Sequence, residues 1–330
     1  MRQLKFLTLF AMLYSCKNYY SNTNINLTNS NLVKPITETS LLVLGTIQDA
    51  GSPQIGCNKD CCKDLFLHPD KYRRVVSLGL IDVINQKKFI IEATPDFSQQ
   101  AKSLYLFSSS SHSEIPDGIL LTHAHIGHYT GLMYLGKEAI NAKNIPVYVM
   151  PRMKKFLEQN APWSQLVNNK NIYLKQIIEQ EEIELTNQLK IIPFAVPHRD
   201  EFSETVGYTI IGPNKKALFI PDIDKWEKWD THIIDVIAKV DYAFIDGTFF
   251  DAAEINNPQD PARRDISTIP HPFIMESINK LKGLSAAEKK KIFFIHFNHT
   301  NPVINKNSKQ YKQVIKNGFN IASINNILKL

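Results

Sequence analysis

Short apolar runs alternate with amphipathic helical patterns from Leu41 to the C-terminus. Runs rich in β-branched and aromatic residues, bounded by turn residues, predict strands, and apolar positions spaced three and four apart predict helices. The predicted strands are Leu41–Leu44, Val75–Ile84, Phe89–Glu92, Ile119–Leu121, Val147–Met150, Leu189–Val196, Val206–Ile211, Leu218–Ile220, Tyr242–Ile245 and Ile292–His296. The predicted helices are Thr130–Ile140, Arg152–Gln159, Trp226–Lys239, Ala286–Lys290 and Ser308–Lys316. Without a repeat of fixed period, this pattern favours one layered α/β (α+β) domain over residues 41–330.

The first forty residues follow a different pattern. Two positive charges precede an apolar stretch, Phe6 to Tyr14, that is too short to span a bilayer as a stable helix and is typical of an export signal. Its end, Leu13-Tyr14-Ser15-Cys16, resembles the lipobox of bacterial lipoproteins, which implies a signal peptide over residues 1–16 and lipidation of Cys16. Residues 17–40 are rich in Asn, Ser and Thr, which predicts a flexible tether. We therefore expect an extracytoplasmic protein anchored to a membrane, at the periplasmic or cell surface; a folded N-terminal helix that buries Cys16 is the alternative.

Composition and charge leave an enzyme or a binding protein open. The chain has 330 residues, 43% hydrophobic and 21% charged, which is enough for a full core. Its net charge of +6 comes from lysines scattered along the sequence. Nucleic-acid binders concentrate basic residues on one element, so no nucleic-acid partner is indicated, whereas a weak preference for anionic small molecules remains. Nothing in the sequence indicates the oligomeric state.

Three histidines, His123, His125 and His128, directly follow the predicted strand Ile119–Leu121. Residues two apart at a strand end project to the same side, and His128 then falls at the start of the next helix, so the three rings can converge. Convergent imidazoles are ligands of Zn²⁺, which lowers the pKa of a bound water in catalytic sites. The alternative is that each histidine separately bonds a backbone carbonyl.

Further ligands are expected at later strand ends, because loops at one rim of a layered fold meet there. His198, Asp222, Asp246 and His296 each follow an apolar run in such a position.

The order HAHIGH, His198, Asp222 and His296 resembles the metallo-β-lactamase fold superfamily, whose hydrolases share an αββα sandwich and bind one or two metals through an HxHxDH motif. The resemblance covers Leu41 to the C-terminus. It implies that His123, His125 and His198 hold one metal, that Asp222 bridges, and that His128 and His296 belong to a second.

Gly127 stands where the motif has its aspartate, a ligand of the second metal. The loss of that carboxylate leaves three expected ligands, His128, Asp222 and His296, at the second site. We therefore expect a filled first site with Zn²⁺ and a weaker, water-rich second site that could select Fe or Mn.

Other stretches resemble the PqqB subgroup, the pyrroloquinoline quinone biosynthesis protein B proteins. They are Leu44–Gln54 with Cys57, Ala93–Phe97, Phe244–Phe249 and His296–Pro302. Typical members lack the first two histidines and keep the aspartate, the reverse of this chain.

A cysteine cluster, Cys57, Cys61 and Cys62, follows the first predicted strand. Cyclic-phosphate phosphodiesterases of the same fold have a similar loop, and the resemblance implies a structural zinc site completed by His299. Because adjacent cysteines rarely bind one ion together, one of Cys61 and Cys62 could be a bystander and His68 its substitute. Thiols that are only buried or oxidised are the alternative.

Four more residues are candidates for supporting roles. Asp96 and Asp246 follow apolar strands and could orient metal-binding histidines, or simply cap their loops. His271, which matches a His-Pro element of the PqqB subgroup, could donate a proton, and Arg199 could bind an anionic group. A surface histidine is an equal alternative for His271.

These features predict a metal-dependent hydrolase in which a metal-bound hydroxide, with Asp222, Asp96 and His271 as candidate catalytic groups, attacks a phosphodiester or another ester-like centre. Two alternatives stay open. One is a PqqB-like iron-dependent oxygenase that modifies a cofactor or a peptide, and the other is a non-catalytic metal-binding lipoprotein.

Overall fold

The computed structural model of the chain describes residues 34–108, 113–256 and 265–330. The predicted signal peptide, Cys16 and the tether up to residue 33 lie outside these residues. Within them, no helix has the length and apolar character needed to cross a membrane.

The described residues form strands and helices in alternation. The strands are β1 Ser40–Gly45, β2 Ser77–Asp82, β3 Lys87–Ile91, β4 Gly118–Leu120, β5 Ile145–Val149, β6 Ile172–Gln176, β7 Ile183–Glu184, β8 Lys190–Ala195, β9 Val206–Ile211, β10 Lys216–Ile220, β11 Tyr242–Asp246, β12 Ile292–Ile295, β13 Asn320–Ile321 and β14 Ile327–Lys329. The α-helices are α1 Phe97–Phe107, α2 Ile126–Tyr129, α3 Pro151–Gln159, α4 Trp163–Asn168, α5 Ile233–Ile237, α6 Ala252–Ile255, α7 Ile274–Lys280, α8 Ala286–Lys289 and α9 Lys309–Lys316. Short 3₁₀ helices cover Thr130–Leu135, Trp226–Lys228, Ile266–Thr268 and Pro302–Ile304.

The strands build two seven-stranded sheets, ordered β14-β1-β2-β3-β4-β5-β6 and β13-β12-β11-β10-β9-β8-β7. In the first sheet the pairs from β3 to β6 are parallel and the others antiparallel. The second sheet is parallel from β10 to β13 and antiparallel from β7 to β10. As a result β1, β3 and β4 run the same way in the first sheet, and β8, β10, β11 and β12 do so in the second.

Side-chain alternation along the strands separates three hydrophobic layers. In β3, Phe89 and Ile91 face the second sheet and pack with Phe219 and Phe244, whereas Ile90 faces the helices and packs with Leu104. The second sheet does the same on its outer face, where strand residues pack against α5, α7 and α9. Since a strand that is covered on both faces buries every residue, this layering explains why every residue of β1, β2 and β4 is buried. The predicted αββα sandwich is confirmed.

Several predicted bounds are corrected. Helix Thr130–Ile140 is replaced by α2 and a 3₁₀ helix that ends at Leu135, and helix Trp226–Lys239 by a 3₁₀ turn and the five-residue α5. The fold also begins before Leu41: Ile36 is buried and bridges to Ser108, and the amide of Leu330 donates to the carbonyl of Thr39.

Candidate metal centre

Polar side chains gather where seven strands end on one edge of the two sheets. In the first sheet, Asp49 follows β1, Glu92 follows β3 and the HAHIGH segment follows β4. In the second sheet, His198 follows β8, Asp222 follows β10, Asp246 ends β11 and His296 follows β12. The carboxyl ends of parallel strands open outward into loops, which is why ligand-binding groups collect there. Most of these side chains are nonetheless buried: His128 and His296 have no exposed surface and Asp222 has 3%.

The first set of donor atoms comes from His123, His125, His198 and Asp222, whose ligand atoms all lie within 4.8 Å of one another. His123 Nε2 is 2.8 Å from His125 Nδ1 and 3.5 Å from Asp222 Oδ2. His198 Nε2 is 3.3 Å from Asp222 Oδ1. Donors around a tetrahedral zinc with bonds of about 2.0–2.1 Å stand about 3.3 Å apart, so these spacings suit one ion.

The second set of donor atoms comes from Asp49, His128, Asp222 and His296. Asp49 Oδ1 is 2.9 Å from His128 Nε2 and 3.2 Å from His296 Nε2. Asp222 Oδ2 is 3.9 Å from each of those two nitrogens and therefore belongs to both sets. The two sets adjoin through this one carboxylate, which is the arrangement of a two-metal site.

The structure adds Asp49 as a fourth donor to the second site, for which the sequence predicted three. A Cβ placed on Gly127 would lie 2.5 Å from Cα, and 2.8 Å from both Cβ and Cγ, of Asp49. The carboxylate missing from the motif is therefore supplied in the same space by the loop after β1. The sequence carried a signal for it, because Asp49 follows an apolar strand just as Asp222 does, but it stands 74 residues before His123.

Each candidate histidine directs one ring nitrogen at the donor sets and has an outer partner near the other. The outer contacts are Thr122 Oγ1 to His123 Nδ1 at 2.8 Å, Glu201 Oε2 to His125 Nε2 at 3.3 Å, Glu92 Oε1 to His128 Nδ1 at 3.3 Å, Asp224 Oδ1 to His198 Nδ1 at 3.1 Å and Thr248 Oγ1 to His296 Nδ1 at 2.8 Å. Hydrogen-bonded partners of this kind fix the ring orientation of metal-binding histidines, whereas Glu92 and His128 are in ion-pair contact without a well-aligned hydrogen bond. Of these five, Glu201 is the most exposed, with 48% of its side chain accessible.

The charges in the cluster are strongly coupled. Burial and the neighbouring His128 hold the pKa of His123 well below its usual value, so its imidazole is neutral. Burial opposes charge on His128 too, but Asp49 and Glu92 raise the pKa of His128 well above the ordinary value. Burial would likewise raise the pKa of Asp222, yet His198, His271 and His296 lower it well below the ordinary range. His123 and Asp222 are thus in the protonation states that a metal requires of its ligands, whereas His128 would release a proton when a metal binds.

Two orphaned atoms support the metal assignment. His198 Nε2 and Asp222 Oδ1 are both buried and 3.3 Å apart, and neither makes a well-aligned hydrogen bond with the described residues, although His271 Nδ1 also lies 3.1 Å from Asp222 Oδ1. A buried polar atom without a partner costs about 1–3 kcal/mol, which a bound cation would offset. The imidazole and carboxylate donors suit Zn²⁺, Fe²⁺ or Mn²⁺, so the residues present fit the expected metal.

His271 lies beside the donor sets. Its Nδ1 is 3.1 Å from Asp222 Oδ1 and 2.9 Å from Asp246 Oδ2. Burial disfavours its cation, but Asp246 and Asp222 raise the pKa of His271 well above its usual value. Asp246 is held by the amides of Ile223 and Thr248, at 3.2 and 2.8 Å. Asp246 thus contacts His271 directly and reaches His296 through Thr248, whose Oγ1 donates to Asp246 Oδ1 at 2.7 Å and lies 2.8 Å from His296 Nδ1. Asp222, Asp246, His271 and His296 also form a further group whose ligand atoms lie within 4.8 Å of one another.

Asp96 and Arg199 occupy different surroundings. Asp96 Oδ2 accepts a hydrogen bond from the amide of Val75 at 2.7 Å and the residue precedes α1, so its described contacts are those of a loop cap. Arg199 is 58% exposed, with Nη1 3.9 Å from Glu201 Oε1. It therefore stands on the open side of the first set, next to the residue that contacts His125.

The cysteines and His299 form a separate third set. Cys61 Sγ and Cys62 Sγ are 3.5 and 3.3 Å from His299 Nδ1, and Cys57 Sγ is 3.8 Å from Cys61 Sγ. The three cysteines are free, and burial together with the adjacent thiols raises the pKa of Cys61 to about 12. Cys61 and Cys62 both lie within reach of His299, and His68 is exposed outside the set, so this geometry favours both cysteines over His68 as donors. A closed Cys₃His set is a ligand set of structural zinc.

Comparison with known proteins identifies the family. A family model described as a beta-lactamase superfamily domain matches residues 87–297. Coenzyme PQQ synthesis protein B of Methylococcus capsulatus is 25% identical over 309 residues, covering 85% of this chain and 96% of that protein. The protein of the same name from Xanthomonas axonopodis pv. citri is 22% identical, covering 86% and 97%.

Two solved structures show the same fold. Zn²⁺-bound PqqB from Methylobacterium extorquens superposes with a TM-score of 0.72 at 20% identity, covering 88% of this chain and all of that one. A diphosphatase from the PhnP family superposes with a TM-score of 0.59 at 20% identity, covering 88% and 97%.

Proposed function

Because the chain belongs to the beta-lactamase superfamily, we propose that it is a metal-dependent hydrolase that cleaves a phosphodiester or another ester-like bond. The observation that carries the proposal is the pair of adjoining donor sets that share Asp222. A protein that only stored a metal would need one closed set, whereas two sets joined by one carboxylate suit a reaction that stabilises both an attacking and a leaving oxygen.

When bound, the metals would supply a hydroxide nucleophile near neutral pH and a Lewis acid for the developing oxyanion. The protein's own residues fix this centre through the outer contacts of its histidines. His271 is the group we assign to proton transfer. Asp222 and Asp246 occupy its Nδ1 side and favour its cation, so the other ring nitrogen is the one that would protonate a leaving oxygen.

A phosphodiester is the favoured substrate class for three reasons. The net charge of +6 attracts anions, and Arg199 offers a guanidinium on the loop that supplies His198. In addition, the fold is shared with a diphosphatase of the PhnP family. Lactones, thioesters and β-lactams are competing ester-like substrates.

The test is to measure metal content and hydrolysis on the same preparations of the full-length chain. We expect bound transition metal and turnover of a chromogenic phosphodiester, with both reduced in His123→Ala. His68→Ala is the matched control, since His68 is an exposed histidine outside every donor set. Wild-type protein that binds no transition metal at the two sets would refute the proposal, and so would turnover that is unchanged in His123→Ala.

A second candidate is an iron-dependent oxygenase, and its support is the similarity to PQQ synthesis protein B over 85% of the chain. The same preparations separate the two. Iron as the bound metal, together with oxygen uptake and no hydrolysis, would favour the oxygenase. Metal binding without either reaction would favour the non-catalytic lipoprotein.

We also propose that the protein is exported and held at a membrane through a lipid on Cys16. The support is the charged, apolar and lipobox-like order of residues 1–16. Incorporation of a labelled fatty acid into the wild type and not into Cys16→Ala is the expected result. Equal incorporation, or none in either, would contradict it.

A further inference from the structure

The loop that carries Asp49 is the same loop that enters the cysteine cluster. Gln48 donates its amide to the carbonyl of Phe297 at 2.8 Å, and Asp49 follows. Five residues later the amide of Gln54 donates to Cys62 Sγ at 3.4 Å, and the carbonyl of Gln54 accepts from the amide of Cys57 at 3.1 Å. Asp49 therefore lies on a short segment between two attachments, of which one is the cysteine cluster.

A second segment joins the same two places. His296, a member of the second donor set, and His299, a member of the Cys₃His set, are separated by Phe297 and Asn298. The amide of Asn298 donates to the carbonyl of Thr248 at 2.9 Å, and Thr248 Oγ1 lies 2.8 Å from His296 Nδ1. His296 also adopts a left-handed backbone with φ of 69°, which is uncommon outside glycine and needs support from its surroundings.

The Arg73 side chain connects the Asp49 loop to the cysteine cluster by hydrogen bonds. Its Nη1 donates to Ser52 Oγ at 2.9 Å and to the carbonyl of Cys61 at 3.3 Å. Ser52 stands three residues after Asp49, so the C-terminal side of the Asp49 loop is attached to the cysteine cluster twice, through Arg73 and through Gln54. Its N-terminal side is attached at Gln48 to the carbonyl of Phe297, on the segment that joins His296 to His299. The members of the first donor set lie on neither of these two segments, because its histidines and Asp222 follow β4, β8 and β10.

We propose that a cation in the Cys₃His set positions Asp49 and His296, so that occupancy of this set controls the affinity of the second metal and not that of the first. The proposal rests on the metal centre of the proposed function. Its physical basis is that Asp49 occupies the space beside Gly127. A ligand on α2 would be held next to β3, because the carbonyl of His128 accepts from the amide of Ala93 at 2.9 Å, whereas a ligand on a loop is held only as well as the loop is closed. A cation that draws the cysteine thiolates and His299 together closes it.

The first test uses Cys62→Ser in the full-length chain, with Co²⁺ as the probe. The thiolate to Co²⁺ absorption in the near ultraviolet reports the Cys₃His set, and equilibrium dialysis gives the total bound Co²⁺, so the difference reports the histidine and carboxylate sites. We expect Cys62→Ser to lose the thiolate band and to bind the second of the two remaining ions at least tenfold more weakly, with the first ion unchanged. Ile55→Ala is the matched control, since Ile55 lies on the same loop with 90% of its surface exposed.

The second test measures the opposite effect, that of the second metal site on the Cys₃His set. It does not require a cysteine variant to fold. Coupling between two sites is reciprocal in binding free energy. Filling the second site should therefore raise the Co²⁺ affinity of the Cys₃His set by the same factor, and Asp49→Ala should abolish this increase while the thiolate band remains.

The outcomes separate the two proposals. If Cys62→Ser binds both remaining ions as the wild type does, or if the increase persists in Asp49→Ala, the coupling is refuted and the hydrolase proposal stands. If wild-type protein fills only the Cys₃His set, both proposals fail.

Discussion

Restoring the family's aspartate at position 127 should damage this protein. Gly127 lies in α2 without a left-handed backbone, so an added Cβ is not strained by conformation and would stabilise the helix by about 0.5–1 kcal/mol. The same Cβ would stand 2.5 Å from Asp49 Cα, far inside the ordinary contact range of 3.4–4 Å. Since the nearest atom is backbone, no change of rotamer relieves the contact.

The expected magnitude follows from these opposing terms. Overpacking of this kind costs about 1–3 kcal/mol, so we expect Gly127→Ala to lower the free energy of unfolding by about 1–2 kcal/mol after the helix gain. Gly127→Asp should lower it further, because a second buried carboxylate would stand beside Asp49. Gly127→Asp should also bind the second metal more weakly than the wild type, although it restores the family motif.

The assay is urea unfolding of the metal-free proteins in chelator, followed by metal titration. Gly283→Ala is the matched control, because a Cβ at Gly283 meets nothing within 4 Å and its backbone is not left-handed. It should be neutral or slightly stabilising. If Gly127→Ala were as stable as Gly283→Ala, or if Gly127→Asp bound the second metal more tightly than the wild type, Asp49 would not occupy the space assigned to it.

Three further predictions follow from individual contacts. Burial raises the pKa of Glu254 to about 7, against 4.5 ordinarily, so its stabilising effect is complete below about pH 4.5 and is lost as pH rises through 7. Urea unfolding should therefore show a loss of up to about 3 kcal/mol between pH 5 and 8 that is absent in Glu254→Gln, which can still accept from the amide of Phe250; equal slopes would argue against it. Asp224→Asn should weaken first-site metal binding by about 10–100-fold through His198 Nδ1, measured by competition with a chelating dye, and unchanged affinity would contradict the orienting role. Removal of metal by a chelator should expose the thiols of Cys57, Cys61 and Cys62 to a disulfide reagent, so that three more thiols react per chain than before. An equal number of reactive thiols before and after chelation would exclude the Cys₃His site.

Much of the centre could be predicted because its ligands follow apolar strands. His123, His125, His198 and Asp222 each end a run whose pattern is visible in the sequence, and the structure places them in one donor set. Periodicity was less informative where elements are short or their apolar pattern is weak. The strand Ile172–Gln176 and the helix Phe97–Phe107 were missed, and β13 has only two residues, so each of these depends on packing against neighbours rather than on a strong pattern of its own.

The sequence by itself determined the layered fold and most of the metal donors, because strand hydrophobicity and the residue types at strand ends are local properties. Only the tertiary structure decided how Gly127 is compensated. Asp49 and Gly127 are 78 residues apart, and no local pattern states that the loop after β1 enters the space left by the missing side chain. It also decided that Cys61 and Cys62 face one point with His299, since that convergence depends on a loop and a strand end more than 230 residues apart in sequence. The sequence specifies which side chains are present, but metal coordination depends on distances of a few ångströms between them, and only the folded backbone sets those distances.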